Sequence, residues 1–238
     1  MSVSLLAVAL GLAAWGYAVP EADSSALHQA AVGAHRDAPP APNQIYDIDS
    51  AESLTVVINK AHPLDQWAPT DLTMPTGLAS ANGAPLRAEA TAALEALNAQ
   101  AVADGIQIHM TSGYRSYETQ GRLFDAYSRA SGTDLAETYS ARAGHSEHQT
   151  GLAMDIDDGS GCRYRSCFAD TPLGLWMAEN AHTYGFILRY PEGAQDIVGF
   201  KYEPWHYRYV GVEVATDMHD RGIETLEEYF DLPAAPNY

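Results

Sequence analysis

The run Gly144-His145-Ser146-Glu147-His148-Gln149-Thr150-Gly151-Leu152-Ala153-Met154-Asp155, answered later in the chain by Glu203-Pro204-Trp205-His206, decides how this sequence is read. Two imidazoles and a carboxylate, His148, His206 and Asp155, suit one divalent metal. A second carboxylate, Glu203, suits a base beside it. Together they describe a zinc hydrolase whose fourth coordination position is open to water.

The spacings make structural demands. From Gly151 to Ile156 the residues read as a strand, so Ala153 and Asp155 face one way and Leu152, Met154 and Ile156 face the core. His148 lies an odd number of residues before Asp155. The two can share a metal only if the chain bends between them, and Gly151 is placed to allow that. Glu203 and His206 are three apart, which puts them on opposite faces of an ideal strand. Pro204 disfavours a helix interior, so a tight turn is expected to bring both to one cavity. His148 is preferred to its neighbour His145 because of its spacing to Gly151 and Asp155. His28, His35, His62, His109, His182 and His219 read as surface or core residues, and Asp157 and Asp158 as a solvated loop beyond the strand.

Around this run, alternating elements predict an α+β fold. Leu86 to Asp104 is a helix with an apolar stripe of Leu86, Ala90, Ala93, Leu94, Leu97 and Ala101, closed by Gly105. Ile106 to Met110 alternates like a strand. Ser116 caps a helix from Tyr117 to about Ala130. Leu173 to Tyr184, Val212 to Arg221 and Leu226 to Phe230 are further helices. Leu54 to Ile58, Phe186 to Arg189 and Phe200 to Tyr202 are expected as short strands. The stretch from His62 to Pro85 is loop, broken by Pro63, Pro69, Pro75 and Pro85.

Arg115 follows the Ile106–Met110 strand. A peptide hydrolase needs a positive donor where the carbonyl oxygen gains charge, and Arg115 is a candidate. A structural salt bridge is the competing reading on so acidic a protein. The 238 residues carry 31 acidic and 13 basic side chains, a formal net charge of −18. That excludes nucleic acid as an electrostatic partner. It also makes long-range steering of carboxylate-bearing peptides unfavourable unless Arg115 and the metal create a local positive site.

The N-terminus is expected to be a targeting segment. Leu5 to Ala14 is apolar, and Ala18 follows at a plausible cleavage point, although no Lys or Arg precedes the run. Residues 1–18 are read as a signal peptide or anchor, 19–44 as a flexible Ala/Pro-rich stalk, and 45–238 as the functional domain. An exported, cell-envelope location follows, with a membrane tether through the N-terminal segment as one form of it. In that setting Cys162 and Cys167 are expected to pair, closing a short loop. A monomer is expected.

Ser112-Gly113-Tyr114-Arg115-Ser116, the Gly144–Asp155 run and Glu203-Pro204-Trp205-His206 together resemble the three signature motifs of the VanY-type zinc D-alanyl-D-alanine carboxypeptidases. Weaker matches lie at Ala178–His182 and Tyr184–Pro191, and the resemblance runs from about Val56 to Tyr229. It implies a small antiparallel sheet flanked by helices, as in the hedgehog signalling domain. It implies zinc on His148, Asp155 and His206, with Glu203 as base and then acid and Arg115 polarising the scissile carbonyl. It implies that Gln120, Ser146, Tyr190 and Trp205 line the pocket for a terminal D-alanine, though Trp205 could equally be packing. Peptidoglycan stem peptides would be the substrate.

Other functions compete. A penicillin-binding serine enzyme needs Ser-x-x-Lys, and Val57 and Val198 stand three residues before the two lysines, Lys60 and Lys201. An L,D-carboxypeptidase on tetrapeptide stems and a lytic endopeptidase share the same motifs. A zinc-stabilised cell-wall binding module without catalysis would need neither Glu203 nor Arg115.

Overall fold

In the computed structural model, which describes residues 42–80 and 84–238, one mixed sheet organises the chain. Its strands are β2 (Ala79–Ser80), β4 (His109–Ser112), β5 (Ala153–Asp157), β6 (Phe186–Leu188) and β7 (His206–Tyr209), in the order β2-β4-β5-β7-β6. The pairings are antiparallel except for the edge strand β2, which runs parallel to β4. A two-stranded ribbon of β1 (Leu72–Thr73) and β3 (Leu86–Arg87) leads into the first helix. The α+β architecture agrees with the sequence reading.

Alternation along the strands divides the sheet into an apolar and a polar face. Met154, Ile156, Tyr207, Tyr209 and Phe186 enter the main core. There they meet α1 (Ala88–Ala103) through Ala90, Leu94, Leu97 and Ala101, and α3 (Pro172–Asn180) through Leu173 and Met177. Asp155, His206 and Arg208 belong to the other face. Ile187, next to Phe186, joins a second cluster with Val214 and Met218 of α4 (Val212–Arg221).

The helix ends follow local chemistry. At the end of α1, the Gly105 N–H donates to Val102 O at 3.1 Å and the Ile106 N–H to Ala101 O at 2.8 Å. This is a Schellman closure, and it needs the left-handed φ of +80° at Gly105. Ser116 Oγ accepts from the Thr119 N–H and caps α2 (Tyr117–Ser131), as expected. Thr171 caps α3, with Pro172 in its first turn. Beyond Asn180 the expected helix tightens into a 3-10 turn, Ala181–Tyr184.

Several expectations fail, each for a physical reason. Leu54 to Ile58 is buried but not a strand: the Leu54 and Val56 carbonyls accept from Arg208 Nη2 at 2.9 and 2.8 Å rather than from a neighbouring strand. Phe200 to Tyr202 is not a strand either, and the Lys201 N–H instead donates to Thr138 O. The last strand lies at His206–Tyr209. Asp157 is the buried end of β5 and not part of a solvated loop. A helical turn at Pro42–Ile45 occupies the end of the expected stalk. The expected targeting segment, residues 1–18, and the rest of the stalk to residue 41 lie outside the described residues. Among the described residues no helix is long and apolar enough to cross a membrane.

The bend demanded between His148 and Asp155 is present. Glu147–Thr150 forms one 3-10 turn, and Gly151 ends it at φ +70°. A Cβ there would stand 3.0 Å from Leu72 Cδ2 and 3.1 Å from Arg87 Cγ. Gly151→Ala should therefore cost about 1–3 kcal/mol, read as a lowered midpoint in reversible denaturant unfolding. A midpoint equal to wild type would mean that this turn is unconstrained.

Candidate metal centre

His148, Asp155 and His206 converge, all buried, with one potential ligand atom from each lying within 4.8 Å of the others. Three elements deliver them. The Glu147–Thr150 turn carries His148, β5 carries Asp155, and β7 begins at His206, directly opposite Asp155 in the antiparallel ladder. His206 Nδ1 lies 3.1 Å from Asp155 Oδ1, and His148 Nε2 lies 3.4 Å from Asp155 Oδ2.

The far nitrogen of each ring also has a neighbour. His148 Nδ1 is 2.8 Å from the Gly113 carbonyl, so it donates and leaves Nε2 as the ligand atom. His206 Nε2 is 3.7 Å from Glu147 Oε2, and among the described residues neither buried atom has a closer hydrogen-bond partner. If His206 ligates through Nδ1, its proton sits on Nε2, facing that carboxylate. Two neutral imidazoles and a carboxylate are the donor set of a zinc site with an open position, so the residues fit the metal.

Glu147 is itself pinned. Its Oε1 accepts from Arg189 Nε and Arg208 Nη1, both at 2.8 Å. Arg189 continues to Glu227 with bonds of 3.0 and 2.8 Å, and Asn59 Nδ2 donates to Glu227 Oε1 at 2.9 Å. Burial opposes ionisation of Glu147, but the two guanidiniums and His206 hold its carboxyl well below the usual range. Asp155 follows the same logic, with His148 and His206 overriding burial. Burial lowers His148, reinforced by Arg115. Burial also works against protonated His206, yet the Asp155 and Glu147 carboxylates push it up to about 9.

The expected tight turn brings Glu203 to the same place. The His206 N–H donates to Glu203 O at 3.0 Å, and the Glu203 N–H to Tyr190 O at 3.1 Å. Burial pushes the Glu203 carboxyl up to about 8, opposed by His206 and Arg115 and assisted by Asp155.

Among the described residues Arg115 makes no salt bridge, so the competing reading as a structural ion pair finds no support there. Its Nη1 donates to Gln120 Oε1 at 2.7 Å, its Nη2 to Ser112 Oγ at 3.0 Å, and its backbone N–H to His148 O. Gln120 is held in turn by the Ala141 carbonyl at 2.6 Å, so it orients Arg115 as well as lining the cavity.

A cleft of about 680 Å³ opens over these groups, within the usual range for a ligand site. Gln120, Ser146, Tyr190 and Trp205 all line it. Tyr190 tilts over the His206 ring at 4.8 Å, and Trp205 packs on the main core as well as facing the cleft. His145 is turned away, with Nδ1 2.9 Å from Asn59 O. The sequence reading gave no role to Glu147 or to the Gly113 carbonyl. Glu147 stands inside the motif, but spacing cannot tell a buried carboxylate from a solvated one.

Comparison with known proteins agrees with this arrangement. Residues 83–212 match the family model described as D-alanyl-D-alanine carboxypeptidase, VanY. The chain belongs to the VanY family. Among its relatives is the putative carboxypeptidase YodJ of Bacillus subtilis (strain 168), 40% identical over 190 residues that cover 77% of this chain and 69% of YodJ. Two solved structures bracket the VanY fold seen here. The LdcB LD-carboxypeptidase is 36% identical with a TM-score of 0.73, covering 81% of this chain and 96% of that one. A mutant of the vancomycin-resistance D,D-pentapeptidase VanY, solved in complex with Zn(II), is 35% identical with a TM-score of 0.62, covering 75% and 98%.

In this VanY-family chain, Glu147 is placed to orient a metal ligand from behind. Glu147→Gln should weaken metal affinity about 10- to 100-fold, measured by competition with a chromophoric chelator. Wild-type affinity in a folded variant would show that the contact with His206 does not matter.

Proposed function

We propose that this chain is a zinc carboxypeptidase that removes the C-terminal D-amino acid from peptidoglycan stem peptides ending in D-Ala-D-Ala. One observation carries the reading: Glu203 and Arg115 face the same cleft as the His148–Asp155–His206 cluster. A non-catalytic zinc-stabilised module would need neither.

Zinc held by these three residues would supply Lewis acidity and a water whose pKa falls to about 7. The remaining chemistry belongs to side chains. Arg115, held on two sides by Gln120 and Ser112, donates to the scissile carbonyl oxygen as it gains charge. Glu203 takes a proton from the attacking water. As the C–N bond breaks, Glu203 returns that proton to the departing amine. Water oxygen ends on the carbonyl carbon, and the D-amino acid leaves with its amine intact. Gln120, Ser146, Tyr190 and Trp205 form the wall against which the terminal residue rests.

The L,D reading has support of its own, because LdcB superposes with the higher TM-score of the two structures. Lytic endopeptidase cleavage is the other alternative. Export to the cell envelope, with residues 1–18 as signal or anchor, 19–44 as stalk and 45–238 as catalytic domain, belongs to the same proposal. The Cys162–Cys167 disulfide supports it, since such bonds persist in oxidising compartments.

Chromatography of products from defined stems tests the assignment. Pentapeptide stems should release one D-alanine, a chelator should abolish the release and zinc should restore it. Release of D-alanine from tetrapeptide alone would overturn the D,D assignment in favour of L,D cleavage. Glu203→Ala should keep its metal and lose about 10²- to 10⁴-fold in kcat. Turnover at the wild-type rate would overturn the base assignment.

A further inference from the structure

The disulfide loop Cys162-Arg163-Tyr164-Arg165-Ser166-Cys167 reaches the cleft through Tyr164, which has no part in the hydrolysis itself. Tyr164 stands at its tip. The residue has a left-handed φ of +54°, an uncommon conformation for a bulky side chain. Its hydroxyl donates to Thr111 Oγ1 at 3.0 Å, and its ring meets the Trp205 ring edge-on at 5.9 Å. Even so anchored it stays 44% exposed, facing the cleft. A large aromatic held in a strained conformation by a crosslink, yet left uncovered, is built to touch something that is not part of the chain.

Its place relative to Arg115 says what. The register of β4 against β5 is irregular between Met110 and Ser112, and both Thr111 and Ser112 line the cleft. Ser112 holds Arg115, and Thr111 holds Tyr164. Two consecutive residues thus anchor two walls. On the reading proposed above, the Arg115 wall, with Gln120 and Ser146, receives the scissile carbonyl and the terminal residue. The peptide that precedes the scissile bond then runs along the Tyr164 wall, which adjoins the terminal residue's wall where the Tyr164 and Trp205 rings meet.

Charge distinguishes this wall further. The Arg163 guanidinium stands 5.0 Å from the Tyr164 ring, with Nη2 3.4 Å from the Tyr164 hydroxyl. Arg163 is exposed and makes no salt bridge among the described residues, on a chain whose net charge is −18. Asp157 and Asp155 act on it only through space, so an exposed cation with no contact ion pair stands beside a substrate wall and favours an anionic ligand group.

We infer that the Cys162–Cys167 loop is a specificity subsite, in which Tyr164 packs on the peptide preceding the scissile bond and Arg163 binds a carboxylate carried by that peptide. This rests on the carboxypeptidase reading, and three substrates separate the two. One is a stem pentapeptide ending in D-Ala-D-Ala with a free side-chain carboxylate on the residue before them. The second is the same peptide with that carboxylate amidated. The third is acetyl-D-Ala-D-Ala, which lacks the preceding stretch.

With the zinc-loaded full chain, kcat/KM should favour the carboxylate peptide over its amide by about 10-fold. Arg163→Gln should bring that preference close to one. Tyr164→Ala, and the paired change Cys162→Ser with Cys167→Ser, should lower the ratio of long to short substrate by about 10-fold, through KM for the long peptide. Tyr164→Phe, which keeps the ring, should retain most of that ratio. Equal losses on long and short substrates, or unchanged ratios, would overturn the subsite. If wild type cleaves none of the three, the D,D-carboxypeptidase reading fails instead. Titration calorimetry of the uncleaved carboxylate peptide then decides the subsite alone: weaker binding by Tyr164→Ala and Arg163→Gln upholds it, and unchanged binding overturns it.

Discussion

Behind the His148, Asp155 and His206 cluster, four charges are buried together: Glu147, Arg189, Arg208 and Glu227. Taking such groups out of water costs several kcal/mol each, and only complete pairing recovers it. Here the pairing is dense. The carboxylates and guanidiniums are equal in number, and Arg208 also spends donors on the Leu54, Val56 and Tyr209 carbonyls. The cluster ties the paired β6 and β7, through the residue after β6 and the middle of β7, to parts of the chain outside the sheet: the Glu147 turn, the segment at 54–58 and the helical turn Leu226–Tyr229. Because Glu147 also faces His206, the arrangement that holds these elements together is continuous with the one that orients a ligand.

The sheet separates the two tasks. Tyr207 and Tyr209 fill the core on one face of β7, while His206 and Arg208 serve the polar centre on the other. Met154 and Asp155 divide β5 in the same way. A site built on paired central strands inherits their rigidity, and the antiparallel register sets Asp155 opposite His206 before any metal contributes. His148 and Glu203 sit on turns instead, and each turn is closed by a short hydrogen-bonded span, Glu147–Thr150 or Glu203–His206.

What was legible in the sequence follows from where chemistry is local. The α1 stripe of Ala90, Leu94, Leu97 and Ala101, its Gly105 closure and the Ser116 cap depend on neighbours within a few residues and are present, whereas Leu86, expected in the helix, belongs to β3. The convergence of His148, Asp155 and His206 was legible because these residue types are rare in combination, and the two bends because odd spacings and Gly151 or Pro204 demand them. β7 was missed although His206-Tyr207-Arg208-Tyr209 alternates. Its polar members are buried, and alternation is normally read as apolar inward and polar toward water. Leu54 to Ile58 was misread for the complementary reason: its residues suit a strand, but a guanidinium from a distant position takes the carbonyls a neighbour would have used. The partners of buried charges are tertiary facts, and no local pattern announces them.

The two histidine ligands are oriented by different kinds of group. A side chain, Glu147, faces His206, whereas His148 leans on the main-chain carbonyl of Gly113. That carbonyl is itself wedged: a Cβ on Gly113 would stand 2.5 Å from Met110 Cε and 2.7 Å from Pro85 O. Substitution can therefore tune the electron richness of one imidazole but not of the other. Replacing Glu147 changes what His206 donates to while leaving the backbone untouched. No side chain can be exchanged to alter what His148 donates to, and a change at Gly113 shifts the strand exit itself. Of the two imidazoles, one is thus adjustable through a side chain and the other is set by the path of the chain.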